Sequence, residues 1–228
     1  MVALNNRGVT FLAKFRYKDA ASCFSKGLAL AKQWLLHFET MRETDTSSKL
    51  HTPTGHFHQA VIRKPLHYSN KFEDQEAGDQ PFVFTRPIFI SEDTVEEELS
   101  SSCLVALSFI QLYNLALCHH LCALRTEDGS RTKLLKALSL YELAYRLQRD
   151  EDVEATVLQQ MAIVNNVGSI HSALQQVECS RQCFENLLST IMFVKDCGEA
   201  DSVQDMDGFL SNTLPLIIIA GCTFAAAA

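Results

Sequence analysis

Proline and glycine are scarce, at five and nine in 228 residues. A β-sandwich or barrel needs frequent turn residues, so this poverty disfavours both and suits long helices. Basic residues are outnumbered 20 to 27 by acidic ones, for a formal charge of −7. That balance argues against nucleic acid as a partner, because phosphate binding needs an excess of clustered Lys and Arg. No window reaches the ~18–20 apolar residues that a bilayer span requires. The nearest run, residues 214–228, is interrupted by Pro215 and Gly221, which argues against a membrane tail. The opening MVALNNRGVTFLAKF reads as an amphipathic helix and lacks the apolar core of a secretory signal. There is no Gly-rich phosphate loop, no Gly-x-Ser-x-Gly and no His-Glu-x-x-His. No enzyme activity is therefore expected, and no cofactor.

What is present is apolar material for a core, 47% of the chain. The length allows one large domain, and a single helical domain over residues 1–228 is the expectation. Eight cysteines sit mostly among apolar neighbours at helical spacing. Used that way, Cys is a small hydrophobe, and with no Asn-x-Ser/Thr acceptor the chain reads as intracellular, cytoplasmic and reduced.

Helical periodicity runs through residues 1–14, 17–42, 95–124, 134–147, 153–174 and 178–194. Thr94 and Glu97 form a capping-box pair for the third stretch. Residues 43–81 are polar and broken by Gly and Pro, a partly mobile insertion. PFVFTRPIFI follows, rich in Phe, Val, Thr and Ile, and residues 82–90 read as a strand that Pro87 confines to an edge. The other β-branched apolar run is 214–219. A lone strand cannot satisfy its backbone, so a two-stranded patch of 82–90 with 214–219 is expected. It would fold the C-terminal extension, 196–228, back on the insertion. The fold class is therefore mostly α, with that small β patch.

The chain also repeats itself. Asn6 and Gly8 are followed by Phe11, Ala20, Phe24 and Leu28; Asn166 and Gly168 by His171, Ser180, Phe184 and Leu188. In both, Gly to small residue is 12 and small residue to Phe is 4. A looser copy has Asn114, Ala116 and His119, then Ala137, Tyr141 and Tyr145 after a longer connection. Small residues facing each other let two helix backbones approach, and the aromatic fills the seam between that hairpin and the next.

Leu4, Gly8, Phe11, Tyr17, Ala20, Phe24 and Leu28 resemble the signature of the tetratricopeptide repeat, with Gly27 departing from the usual Ala. The family's period of about 34 residues is broken by insertions. Residues 137–148 running on to 164–174 also resemble the longer repeat of kinesin light chains. The resemblance implies stacked antiparallel helical hairpins, a superhelix whose first helices line a concave face. It implies a non-catalytic scaffold that binds a peptide segment or a subunit there. Asn6, Asn114 and Asn166 take the place from which such proteins hydrogen-bond a peptide backbone, since an amide both donates and accepts. The charged clamp for C-terminal carboxylates is not expected. Asn5 and Val9 stand where it needs Lys and Asn, and Ala162 and Asn166 stand where it needs a basic pair.

Two alternatives stay open. A ligand- or metal-sensing regulator could use Cys118, His119 and Cys122, thiols one helical turn apart, but two thiolates on one helix lack evident further ligands. Cys179 and Cys183 repeat the spacing. His51, His56, His58 and His67 read as part of a polar loop, and the acidic run 92–98 as a solvated helix start. The second is an unrecognised enzyme. No metal site is expected.

Overall fold

The structure, a computed structural model, describes residues 1–44, 81–91, 101–126, 130–150, 156–198 and 203–226. Seven helices account for most of these: α1 (Val2–Ala13), α2 (Tyr17–Thr44), α3 (Ser101–Arg125), α4 (Ser130–Asp150), α5 (Val157–Ala173), α6 (Val177–Asp196) and α7 (Met206–Ala226). The expected insertion, the His cluster, the acidic run and the Thr94–Glu97 box lie outside the described residues, save the insertion's ends. The chain divides into two compact units, Met1–Phe72 with Arg86–Ala155, and Glu73–Thr85 with Thr156–Ala228. The segment 81–91 thus gives its first residues to the second unit and its last to the first.

In the first unit α1 packs on α2, α2 on α3 and α3 on α4, with α1 also touching α3. In the second, α5 packs on α6 and α6 on α7, with α5 touching α7. The hairpins close through matching turns. Phe15 and Gln175 adopt φ of 57° and 60°, and Arg16 N–H and Gln176 N–H reach back to the carbonyls of Phe11 and His171 at 2.9 and 2.8 Å. This six-residue closure satisfies carbonyls that a helix end leaves orphaned. Neither residue is Gly, so each turn carries a left-handed cost of about 1 kcal/mol. At Phe15 the Arg125 guanidinium, 3.8 Å above the ring, offsets part of it.

The glycine–aromatic spacing has a direct steric basis. A Cβ on Gly8 would stand 2.5 Å from the Phe24 ring, and one on Gly168 would stand 2.7 Å from the Phe184 ring. Each ring therefore lies on the glycine of its own hairpin, where the sequence suggested the seam between neighbouring hairpins. Ser180 Oγ donates to the Gly168 carbonyl across the same contact at 3.0 Å. Gly27 has its own reason: a Cβ there would meet Gln111 Oε1 of α3 at 1.9 Å. Ala116, Ala137 and Tyr141 are fully buried in the looser copy, and Tyr141 meets Tyr113 edge-on at 5.9 Å.

Contrary to the sequence expectation, one described helix, α3, is long and apolar enough to cross a membrane, but 83% of that apolar stretch is buried inside the protein, as befits the core helix of a unit. Helix α5 starts later than its periodicity suggests, because Thr156 and Gln159 form a reciprocal capping box.

The expected β patch does not form. Residues 214–219 lie inside α7, with Pro215 in the helix. A short β-branched apolar run does not distinguish strand from buried helix by periodicity, and here the helix prevails. Residues 82–90 are extended as expected; side chains bind the backbone of Phe82, Phe84, Ile88 and Ile90, and Ile88 also takes part in an isolated β-bridge.

Candidate functional site

An α-helix spends its own N–H and C=O groups internally, so it can hold an extended chain only through side chains. Among the described residues six asparagines do this, in two sets of identical connectivity.

In the first unit, Asn6 of α1 accepts from Ile90 N–H at 3.0 Å and donates to the Ile90 carbonyl at 2.7 Å. Asn114 of α3 does the same to Ile88, with both bonds at 2.8 Å. Asn5 ties the pair together. Its amide nitrogen reaches the Ile88 carbonyl at 3.0 Å, and its Oδ1 accepts from Asn114 at 2.9 Å. Asn5 Nδ2 also lies 3.3 Å from Asn6 Oδ1.

In the second unit, Asn166 of α5 holds Phe84 at 2.8 and 2.9 Å. Asn212 of α7 holds Phe82, with both bonds at 2.8 Å. Asn165 is the tie: it donates to the Phe82 carbonyl at 3.0 Å and accepts from Asn212 at 2.6 Å. Ser169 Oγ adds a bond to the Phe82 carbonyl at 2.9 Å.

Each set therefore reads a tripeptide, Ile88-Phe89-Ile90 in one and Phe82-Val83-Phe84 in the other. The outer residues have both N–H and C=O bound by one amide, and among the described residues no side chain of the set binds the backbone of the middle residue. The two prolines, Pro81 and Pro87, fall outside the four read residues, where a missing N–H costs nothing. Between the tripeptides, Tyr113 Oη donates to the Arg86 carbonyl at 3.2 Å.

The bonds are dry. Asn5, Asn114, Asn165 and Asn166 are fully buried, and Asn6 and Asn212 nearly so. Phe84, Ile88 and Ile90 are buried as well, each contributing about 2 kcal/mol of apolar transfer. Phe209 of α7 stacks on Phe84 at 5.5 Å and meets Phe82 edge-on at 5.6 Å. Gly208 makes room for the Phe82 ring, 2.6 Å from where a Cβ would be. The C-terminal extension thus meets residues 82–84 through Asn212 and Phe209, without a strand.

Asn6, Asn114 and Asn166 were singled out by their place two residues before the small residue of each copy. The structure puts Asn6 and Asn114 in one set and Asn166 in the other. Asn5 and Asn165 prove to be the bridging amides, and Tyr113, which replaces them in the looser copy, also touches the segment backbone. Asn212 escaped sequence reasoning because Leu214, two residues on, breaks the Asn-x-small pattern. The surviving signal is an Asn one turn beyond Phe209 in an apolar stretch.

The thiols have other employment. Cys118 Sγ donates to the Tyr17 carbonyl at 3.2 Å, and burial pushes the thiol up to about 12. Burial, with Lys136 and Lys133 nearby, lowers His119 to about 4. Burial alone lowers His120, against Tyr141, to about 3. Among the described residues no three His, Cys, Asp or Glu side chains come together as metal ligands.

Comparison with known proteins finds no matching family, no matching curated protein and no matching solved structure.

Proposed function

We propose that this chain is a non-catalytic protein-interaction module built from tetratricopeptide-like hairpins, which recognises polypeptide through asparagine amides. The observation that carries this is the paired N–H and C=O engagement of Phe82, Phe84, Ile88 and Ile90. One amide facing the N–H and C=O of one extended residue forms a closed pair of hydrogen bonds, as in a sheet, but delivered from a helix. Nothing in that chemistry makes or breaks a covalent bond. The hairpin resemblance is supported by the contacts of Gly8 with Phe24 and Gly168 with Phe184. The amides at Asn6, Asn114 and Asn166 hold the chain's own residues, so a partner either displaces those or uses another face.

Affinity capture of the full chain from its native cell, with mass spectrometry of everything bound, tests the reading. A polypeptide recovered in stoichiometric amount is the expected result. A stoichiometric small molecule or metal with no polypeptide overturns it and favours a sensing role.

A further inference from the structure

The pattern of bonds in the two amide sets defines what else could bind there. The read residues are Phe in one set and Ile in the other, so the outer positions take apolar side chains without fixing their shape. The backbone is held by neutral groups: six asparagine amides and the hydroxyls of Ser169 and Tyr113. Among the described residues, neither amide set binds the backbone of the middle residues Val83 and Phe89. The segment is held by side chains of α1, α3, α5 and α7, and its departure would break none of their helical hydrogen bonds. The held conformation is therefore separable from the fold in a way that a central strand or a core helix is not.

We propose that each amide set is a receptor for an apolar-x-apolar tripeptide in extended conformation, and that Phe82-Val83-Phe84 and Ile88-Phe89-Ile90 occupy these receptors in cis until a partner polypeptide of the same pattern displaces them. This rests on the interaction-module reading and names its ligand. The ligand carries an apolar, non-proline residue at each outer position of a tripeptide. Proline is accepted only where no N–H is read, as at Pro87. Charge on an outer side chain is rejected, because Phe84, Ile88 and Ile90 are buried. The tethered segment acts at an effective concentration on the order of millimolar, so the free protein is self-occupied and exchange is slow.

The test uses the full chain and a fluorescent peptide of residues 81–91, PFVFTRPIFIS, with a solubilising tail. Against the variant Phe84→Asp with Ile88→Asp, the peptide should bind at least ten-fold more tightly than against wild type, by anisotropy. Peptides N-methylated at Phe84 or Ile88 should lose at least ten-fold, while N-methylation at Val83 or Phe89 should leave affinity within about two-fold. A folded variant that ignores the peptide, or binding blind to the position of the methyl group, overturns the proposal. Should the variant not fold, hydrogen exchange in wild type decides. The Phe84 and Ile88 amides should exchange at least ten-fold faster than those around Leu117 in α3; equal rates mean that the segment leaves only with global unfolding, and the proposal falls. A stoichiometric polypeptide captured from cells alongside a non-exchanging segment would retain the module and discard only this ligand.

Discussion

Replacing Asn114 by Ala tests the amide sets most sharply. Its side chain is fully buried and makes three hydrogen bonds: from Ile88 N–H, to the Ile88 carbonyl and to Asn5 Oδ1. Truncation removes all three at once. The Ile88 carbonyl keeps the bond from Asn5, so two groups lose these partners, the Ile88 N–H and Asn5 Oδ1. A buried polar group left unpaired costs about 1–3 kcal/mol, which puts Asn114→Ala at about 4 kcal/mol. With a urea slope of about 2–3 kcal/mol/M, the midpoint of the transition involving the first unit should fall by about 1.3–2 M. The Ile88 amide should lose protection in hydrogen exchange. Asn186→Ala, on the exposed side of α6, supplies the control and should change stability by less than about 0.5 kcal/mol. A loss at Asn114 as small as that control, with Ile88 protection intact, would refute the reasoning, for it would mean that water replaces the amide at no cost.

Three further outcomes follow from the same contacts. Gly168→Ala, whose Cβ would stand 2.7 Å from the Phe184 ring, should destabilise by about 1–3 kcal/mol in chemical denaturation, and Phe184→Leu in the same chain should recover part of it. Ile88→Pro removes an N–H that Asn114 accepts and should cost more than about 3 kcal/mol, while Phe89→Pro at the unread neighbour should cost about 1 kcal/mol or less by the same assay. His119 and His120 have folded values near 4 and 3, below the ordinary 6.5. The unfolded chain therefore binds protons that the folded one refuses, so stability is full above about pH 6.5 and falls as pH drops toward 4. The loss approaches about 1 kcal/mol per pH unit for the fully buried ring, and His120→Leu should flatten the slope between pH 6.5 and 4.5 in urea titrations.

Six of the seven described helices and three of the six amides could be read directly from the sequence. Glycine and small residues twelve apart, with Phe four further on, specify a close hairpin contact whatever surrounds it, and Ser180 on Gly168 shows that contact. The Asn places followed because they sit at a constant offset from those small residues. The fate of the two β-branched runs was not legible. Residues 82–90 and 214–219 are both mostly apolar, rich in β-branched residues and interrupted by one proline, and a backbone that must find partners does not reveal which partners. The assumption that an extended segment requires another strand led to the wrong pairing, because a row of Asn side chains satisfies the same groups. Asn212 was hidden for a related reason, since its helix lacks the small residue that marked the other copies.

Why asparagine, and why without charge, follows from elementary chemistry. An extended residue presents its N–H and its C=O, from two successive peptide groups, on one side, and the amide of Asn or Gln answers them with a separate acceptor and donor in one neutral planar group. Asn has one fewer rotatable bond than Gln, so less rotamer entropy is lost when it is fixed. Arg or Lys would offer donors alone and leave the N–H of Phe82, Phe84, Ile88 and Ile90 unanswered in a dry site. Burying such a cation would also cost more than the bond returns. An aspartate would answer those N–H groups but set its second oxygen against a carbonyl. Neutral amides avoid both penalties, and they do so without inspecting the side chains of the held segment. Their selectivity is therefore for backbone conformation and for the absence of proline, with Phe209, Gly208 and the apolar walls deciding which side chains fit beside them.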